Sequence, residues 1–209
     1  MLAKLPKVRV GRHSSAMATS AERYRRLVGD ELIDAVIALA RDLKGVRICH
    51  LNSTASGGGL AELLVRHLPV LQALGLAAEW RLIHGRAEFF TVTKAFHNAL
   101  QGAHYDLRKP EQALYLEVNE ESTKLLEADY DVYIVHDPQP LAIRHFAGDR
   151  GAKRIWRCHI DTATPDEGVS RFLRPFIEAY DAVTFTLLEF RLPELAAQRL
   201  TFIAPAIDP

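Results

Sequence analysis

Between residues 46 and 203 the chain alternates two kinds of apolar pattern. Short, nearly continuous apolar runs at 46–51 (VRICHL), 77–83 (AAEWRLI), 131–135 (DVYIV), 153–160 (KRIWRCHI), 182–186 (AVTFT) and 200–203 (LTFI) read as strands buried on both faces. Between them, apolar residues recur at helical spacing. Residues 60–74 place Leu60, Leu64, His67, Leu71 and Leu74 on one face, with Pro69 expected to bend the helix. Residues 88–100 (EFFTVTKAFHNAL) carry β-branched residues that favour a strand. A helix with Phe89, Phe96 and Leu100 inward, stopped by Gly102, fits the spacing better. Helices are also predicted at 111–127 after Pro110, at 141–146 and at 169–180. Ahead of the first strand, residues 21–43 predict a helix lying outside the domain. Leu32, Val36, Leu39 and Leu43 form its apolar stripe, flanked by Ile33, Ile37 and Ala40, with Gly45 as its stop. Residues 1–20 lack periodicity and read as a flexible N-terminal arm.

Strands alternating with helices at this spacing specify an α/β domain: a Rossmann-like parallel sheet with helices on both faces, spanning 21–209. Ligands of such sheets bind beyond the carboxyl ends of the strands. That rule selects 52–59, 84–88, 136–140 and 159–166 for inspection.

Composition narrows the partners. The 209 residues are 48% hydrophobic, and 26 Lys plus Arg balance 26 Asp plus Glu. No basic surplus points to nucleic acid or a membrane surface. No apolar run approaches the roughly 18–20 residues of a membrane span. The N-terminus lacks the apolar core of a signal peptide, so a cytoplasmic location is expected. Cys49 and Cys158 lie in apolar runs and read as buried, reduced thiols. No metal-type spacing, serine elbow or Cys/His dyad is visible, so no metal and no cofactor are expected.

Three stretches carry candidate chemistry. "SGGGLAE" puts Gly57, Gly58 and Gly59 between the first main strand and its helix. Glycine lets backbone approach a ligand without a Cβ, and the helix start offers unpaired N–H groups to a phosphate. The competing reading is a turn that merely needs glycine, for which one usually suffices. Glu62 falls in the first helical turn, where its charge also suits the dipole. "VHDPQP" sets His136, Asp137 and Gln139 at a strand end, as ligand contacts or as an N-cap before a Pro-rich first turn. "RCHIDTATPD" sets His159 and Asp161 at alternate positions, hence on one face. They suit an acid/base pair, sugar-hydroxyl contacts, or a core-edge histidine bonded to backbone. Lys94 and His97 neighbour one another on a helix, ordinarily a solvated face.

Taken together, "HLNSTASGGGLAELL", "EFFTVTKAFHNALQG", "YIVHDPQP", "WRCHID" and "APAIDP" resemble the N-terminal half of trehalose glycosyltransferring synthases, from about Tyr24 onward. Those are retaining glycosyltransferases with two Rossmann-like domains, the GT-B fold. The resemblance implies transfer of glucose from a nucleoside-diphosphate glucose to free glucose, giving trehalose, with the leaving phosphate taking the acceptor's proton. It implies Gly57, Gly58 and Gly59 against donor phosphates and sugar, and His159 as the catalytic contact to the transferred sugar. It implies Glu62, Lys94, Asp137, Gln139 and Asp161 around the acceptor. The family's C-terminal domain carries an Arg/Lys pair for the diphosphate and two glutamates for the donor, and this chain stops at Pro209, where the family's linker begins. The expectation is an isolated chain with little or no activity, needing a complementary C-terminal domain or self-association. A stand-alone sugar or sugar-phosphate module is the alternative. The identity of the nucleoside stays open.

Overall fold

The computed structural model describes residues 4–10, 24–126, 130–148, 151–193, 195 and 200–205. Its elements are β1 (Lys7–Val8), α1 (Asp30–Asp42), β2 (Arg47–Asn52), α2 (Gly59–Ala73), β3 (Ala77–Leu82), α3 (Ala87–Leu100), α4 (Lys109–Leu125), β4 (Val132–His136), α5 (Ile143–Phe146), β5 (Lys153–Arg157), α6 (Glu167–Glu178), β6 (Ala182–Phe185) and β7 (Leu200–Phe202). They build a sheet in the order β1-β3-β2-β4-β5-β6-β7. Every pairing from β3 to β7 is parallel. The order reverses between β2 and β4: after β2 the chain steps to β3 on one side, then returns to place β4 on the other. A crevice opens at such a switch point, beyond the strand ends.

The period of two in each strand divides the core. Cys49, Leu51, Tyr133, Val135, Trp156, Cys158, Val183 and Phe185 face α3, α4 and α6, contributing to one large cluster with Phe89, Phe96, Tyr115 and Leu173. On the opposite face Ile48 and Ala78 meet Ala40 of α1. Beside them Trp80 is enclosed by Ala61, Leu64 and Leu68 of α2. The ambiguous 88–100 stretch is helical, with Phe89, Phe96 and Leu100 fully buried as its spacing requires. Both cysteines are free and buried. Among the described residues no helix is long and apolar enough to cross a membrane.

Several expectations change. Part of the stretch read as an arm is a strand: β1 pairs antiparallel with β3, and the adjacent Leu5 is buried, its N–H bonded to the Leu125 carbonyl. Lys7 pairs with Glu79, which also accepts from Tyr130 and Arg81. The rest of that arm, 1–3 and 11–20, lies outside the described residues. The helix expected over 21–43 is interrupted at Gly29, whose φ of 87° leaves the helical region, so α1 starts at Asp30. The stripe expected to pack is instead largely exposed, with Leu32 at 53%, Leu39 at 65% and Leu43 at 46%. Ile33 and Ala40 bury in its place. The strand expected over 153–160 is shorter, Lys153–Arg157, with the Cys158 N–H making one more bond to β6 at the Thr184 carbonyl, 2.9 Å.

Candidate functional site at the strand ends

Two loops meet at the switch point. The first runs from Asn52 at the end of β2 to Gly59 at the start of α2. Asn52 is buried; it accepts from Trp80 Nε1 at 2.6 Å and donates to the Thr54 carbonyl at 2.8 Å, which fixes where the loop departs. The three glycines are exposed. Gly57 has a φ of 80°, the left-handed region that favours glycine. Gly58 is extended, with φ −172°, and serves as an N-cap without a side-chain hydrogen bond. A Cβ at Gly58 or Gly59 would meet nothing within 4 Å. The fold itself therefore calls for glycine at 57 and gives no steric reason for it at 58 or 59. The first N–H groups of α2 are left without a side-chain cap. Glu62 stands exposed one turn in.

The second loop follows β4 and is tied from all sides. Asp137 holds a φ of 60°, a conformation that Asp tolerates better than most residues. Its N–H donates to the Arg157 carbonyl at 3.0 Å. Its carbonyl accepts from Trp156 Nε1 at 2.9 Å, and its Oδ1 accepts from the His159 N–H at 2.9 Å. Tyr115 donates to the Pro138 carbonyl at 2.8 Å, and Asn119 donates to the Gln139 carbonyl at 3.1 Å. Burial pushes the Asp137 carboxyl up to about 6, against the His159 N–H and the Arg157 charge, which hold it down. Asp137 is thus the clasp between the ends of β4 and β5. It is not the N-cap of the short helix behind it, which is Ala142.

His159 joins a row of imidazoles that cross the sheet. Its Nε2 lies 2.9 Å from His136 Nδ1, and His136 Nε2 lies 3.0 Å from His50 Nδ1. The rings stack with centroids 5.2 and 5.3 Å apart, and His67 of α2 meets His50 edge-on at 5.8 Å. Burial lowers all three: His50 to about 3, with His67 adding to the effect; His159 to about 4, with Arg157 adding; and His136 well below its usual value. The row is neutral at pH 7. Nothing in the sequence reading singled out His50, or Arg157, which donates to the Phe185 and Ile203 carbonyls at 2.6 Å each and anchors β6 and β7. The available signal was a histidine near the end of an otherwise apolar strand run, which occurs at both His50 and His136.

Other expected site residues lie apart from this cluster. Asp161 is exposed and folds back to accept from the Ala163 N–H at 2.9 Å. With β5 ending at Arg157, the shared strand face expected for it and His159 does not form. Lys94 is exposed on α3; burial of the neighbouring His97 lowers that imidazole, and the Lys94 charge adds to the effect. Gln139 is half-buried in the β4 loop. Among the described residues no group of three or more His, Cys, Asp or Glu is arranged to hold a metal ion.

Residues 50–192 match the family model described as the N-terminal domain of trehalose synthase. The trehalose synthase of Rubrobacter xylanophilus is 44% identical over 191 residues, covering 89% of this chain and 46% of that protein. That of Pyrococcus horikoshii is 42% identical over 190 residues, covering 90% and 46%. A trehalose phosphorylase of Pleurotus pulmonarius is 30% identical over 213 residues, covering 90% and 29%. A crystal structure of α,α-trehalose 6-phosphate synthase from Burkholderia multivorans aligns with a TM-score of 0.46 at 22% identity, covering 69% of this chain and 41% of that one. The chain spans about half the length of the trehalose synthases it matches. With the glycine loop, the HDPQP loop and His159 all inside the matched span, the chain belongs to the trehalose synthase family and carries its N-terminal domain.

Proposed function

We propose that this chain is the acceptor-side domain of a retaining glycosyltransferase that moves glucose from a nucleoside-diphosphate glucose to free glucose, forming trehalose. The observation that carries this reading is the glycine loop at the switch point. Gly58 and Gly59 lack a steric reason in the fold, and their loop follows β2, the neighbour of the β4 and β5 strands that lead to Asp137 and His159. Close approach by a ligand is a physical reason for a run of glycines there. Gly57, Gly58, Gly59 and the uncapped start of α2 would receive donor phosphate and sugar oxygens. His159 would contact the transferred sugar, with Asp137 and Gln139 at the edge of the acceptor pocket. Glu62, Lys94 and Asp161 border it more loosely, since each is exposed. No cofactor is required: the acceptor oxygen bonds to the anomeric carbon as the nucleoside diphosphate leaves it, and the departing phosphate oxygen takes the acceptor hydroxyl's proton, while the protein orients both.

The nucleotide itself would be held by a second half, in keeping with relatives about twice as long. A second reading, a sugar-binding or assembly module without turnover, is favoured by the exposed leucines of α1. The test is trehalose formation from ADP-, UDP- or GDP-glucose and glucose, by this chain alone and mixed with the separately produced C-terminal half of a trehalose synthase. Product in the mixture and none from the chain alone is expected. Product from the chain alone contradicts the half-site. No product from two folded, associated halves favours the module, and transfer from glucose 1-phosphate alone favours phosphorylase-type chemistry.

A further inference from the structure

The imidazole row has a property that its members lack singly. A hydrogen bond between two neutral imidazoles needs a protonated nitrogen on one ring and a bare one on the other. Each interior contact joins an Nδ1 to an Nε2, and His136 uses both of its nitrogens. Two proton arrangements satisfy both contacts. In one, all three rings carry the proton on Nδ1; in the other, all three carry it on Nε2. Any mixture leaves two lone pairs or two N–H groups facing each other across about 3 Å. His136 is enclosed, so the cost of such a mismatch is not relieved by water. The row's two terminal nitrogens differ in their surroundings. His50 Nε2 is enclosed and has no hydrogen-bond partner among the described residues. His159 Nδ1 is not enclosed in this way and belongs to the half-buried end of the row.

We propose that His50 and His136 are positioning residues that lock the tautomer of His159, so that His159 meets a sugar hydroxyl in one defined role, donor or acceptor, while remaining uncharged. The proposal rests on the reading of His159 as a sugar contact, but the lock itself is a property of the free protein. Backbone placement of His159 comes separately, through Asp137. The row adds the choice of which ring nitrogen bears the proton. A single neutral tautomer discriminates between hydroxyl geometries, because a mismatched oxygen leaves a polar group unpaired.

The test is histidine-selective 15N NMR on the chain at pH 7, which reads the protonation of each ring nitrogen. The expected result is one shared tautomer at His50, His136 and His159. His50→Phe keeps a ring of similar size and removes the bond to His136; His159 should then show a tautomer mixture. His136→Phe, which removes the bond to His159 Nε2 itself, should give the same mixture. Thermal melts establish that each variant is folded. Calorimetry with glucose should show roughly twofold weaker binding for either variant, the loss when an even mixture halves the competent tautomer. Differing tautomers in the wild-type row, or a His159 signal indifferent to His50→Phe in the folded variant, overturns the proposal. A confirmed lock with glucose leaving His159 unperturbed instead overturns the sugar-contact reading.

Discussion

The loops after β2 and β4 leave neighbouring strands at the same edge of the sheet, yet they are built oppositely. The β4 loop is over-determined: Asp137 alone makes three hydrogen bonds to β5 and the residues just after it, and Tyr115 and Asn119 grip the next two carbonyls. The β2 loop is exposed, and among the described residues its ties are at Asn52 and within Thr54–Ser56. One loop is finished without a ligand, with its strain and buried charge already compensated. The other presents bare backbone and an uncapped helix start, groups that an anionic ligand would complete. Preorganisation on one wall and adaptability on the other suit a site that must orient a sugar while admitting a phosphate.

The difference can be broken on a scale of stability. The largest effect is expected from acid. Folded-state values below the usual one mean that the unfolded chain binds more protons, so stability falls as pH drops from 6.5 towards 4. Three histidines titrating together would give about 4 kcal/mol per pH unit. Asp137 works the other way: its raised value means that the native state holds the extra proton between about 4 and 6, offsetting roughly one proton of the three. His67 and Arg157 also face the row, and both disfavour its protonation. Melting curves that stay flat from pH 7 to pH 4.5 would contradict the enclosure of the row. Next, Asp137→Ala should cost roughly 2–4 kcal/mol in chemical denaturation, combining the orphaned His159 N–H with a left-handed alanine. Asp137→Asn, which keeps both an acceptor and that conformation, should cost less and remove the opposing pH term. In the β2 loop, Gly57→Ala should cost about 1–2 kcal/mol through its φ. Gly58→Val should cost under about 1 kcal/mol, since its backbone is extended and its Cβ meets open space, while abolishing binding of a nucleoside-diphosphate sugar. Smallest of all, Lys94→Ala and Glu62→Gln should shift stability by no more than about 0.5 kcal/mol, being exposed.

The sheet was legible because strands buried on both faces must be apolar throughout, and the runs at 46–51, 77–83 and 131–135 left little choice. The aromatic positions of α3 outweighed its β-branched residues: Phe89 and Phe96, seven apart, lie only about 20° from alignment on a helix but would point to opposite faces of a strand. β1 was not legible, since a strand of two residues is held by edge pairing rather than by a pattern. The α1 stripe misled because periodicity marks an apolar face without saying whether the sheet reaches it; Ala40 packs with Ile48 of β2 and Ala78 of β3, while Leu32, Leu39 and Leu43 stay exposed. The glycine loop was visible as a motif. The histidine row was not, because its members are separated by 86 and 23 positions and become neighbours only through the pairings of β2 with β4 and of β4 with β5. Asp137 was visible as a strand-end carboxylate, but its hold on the His159 backbone was not, because that partner lies 22 positions further along the chain.

The central claim is that ligands enter at the switch point, between these two loops. The most direct measurement is an NMR titration of backbone amides with a nucleoside-diphosphate glucose and, separately, with glucose. The account predicts shifts for Gly57–Leu60 with the donor and for Asp137–Gln139 and His159 with glucose, fading in the Gly58→Val variant for the donor alone. Shifts centred on the opposite ends of the strands, near Gly45 and Gly75, or on the outer face of α1, would contradict it.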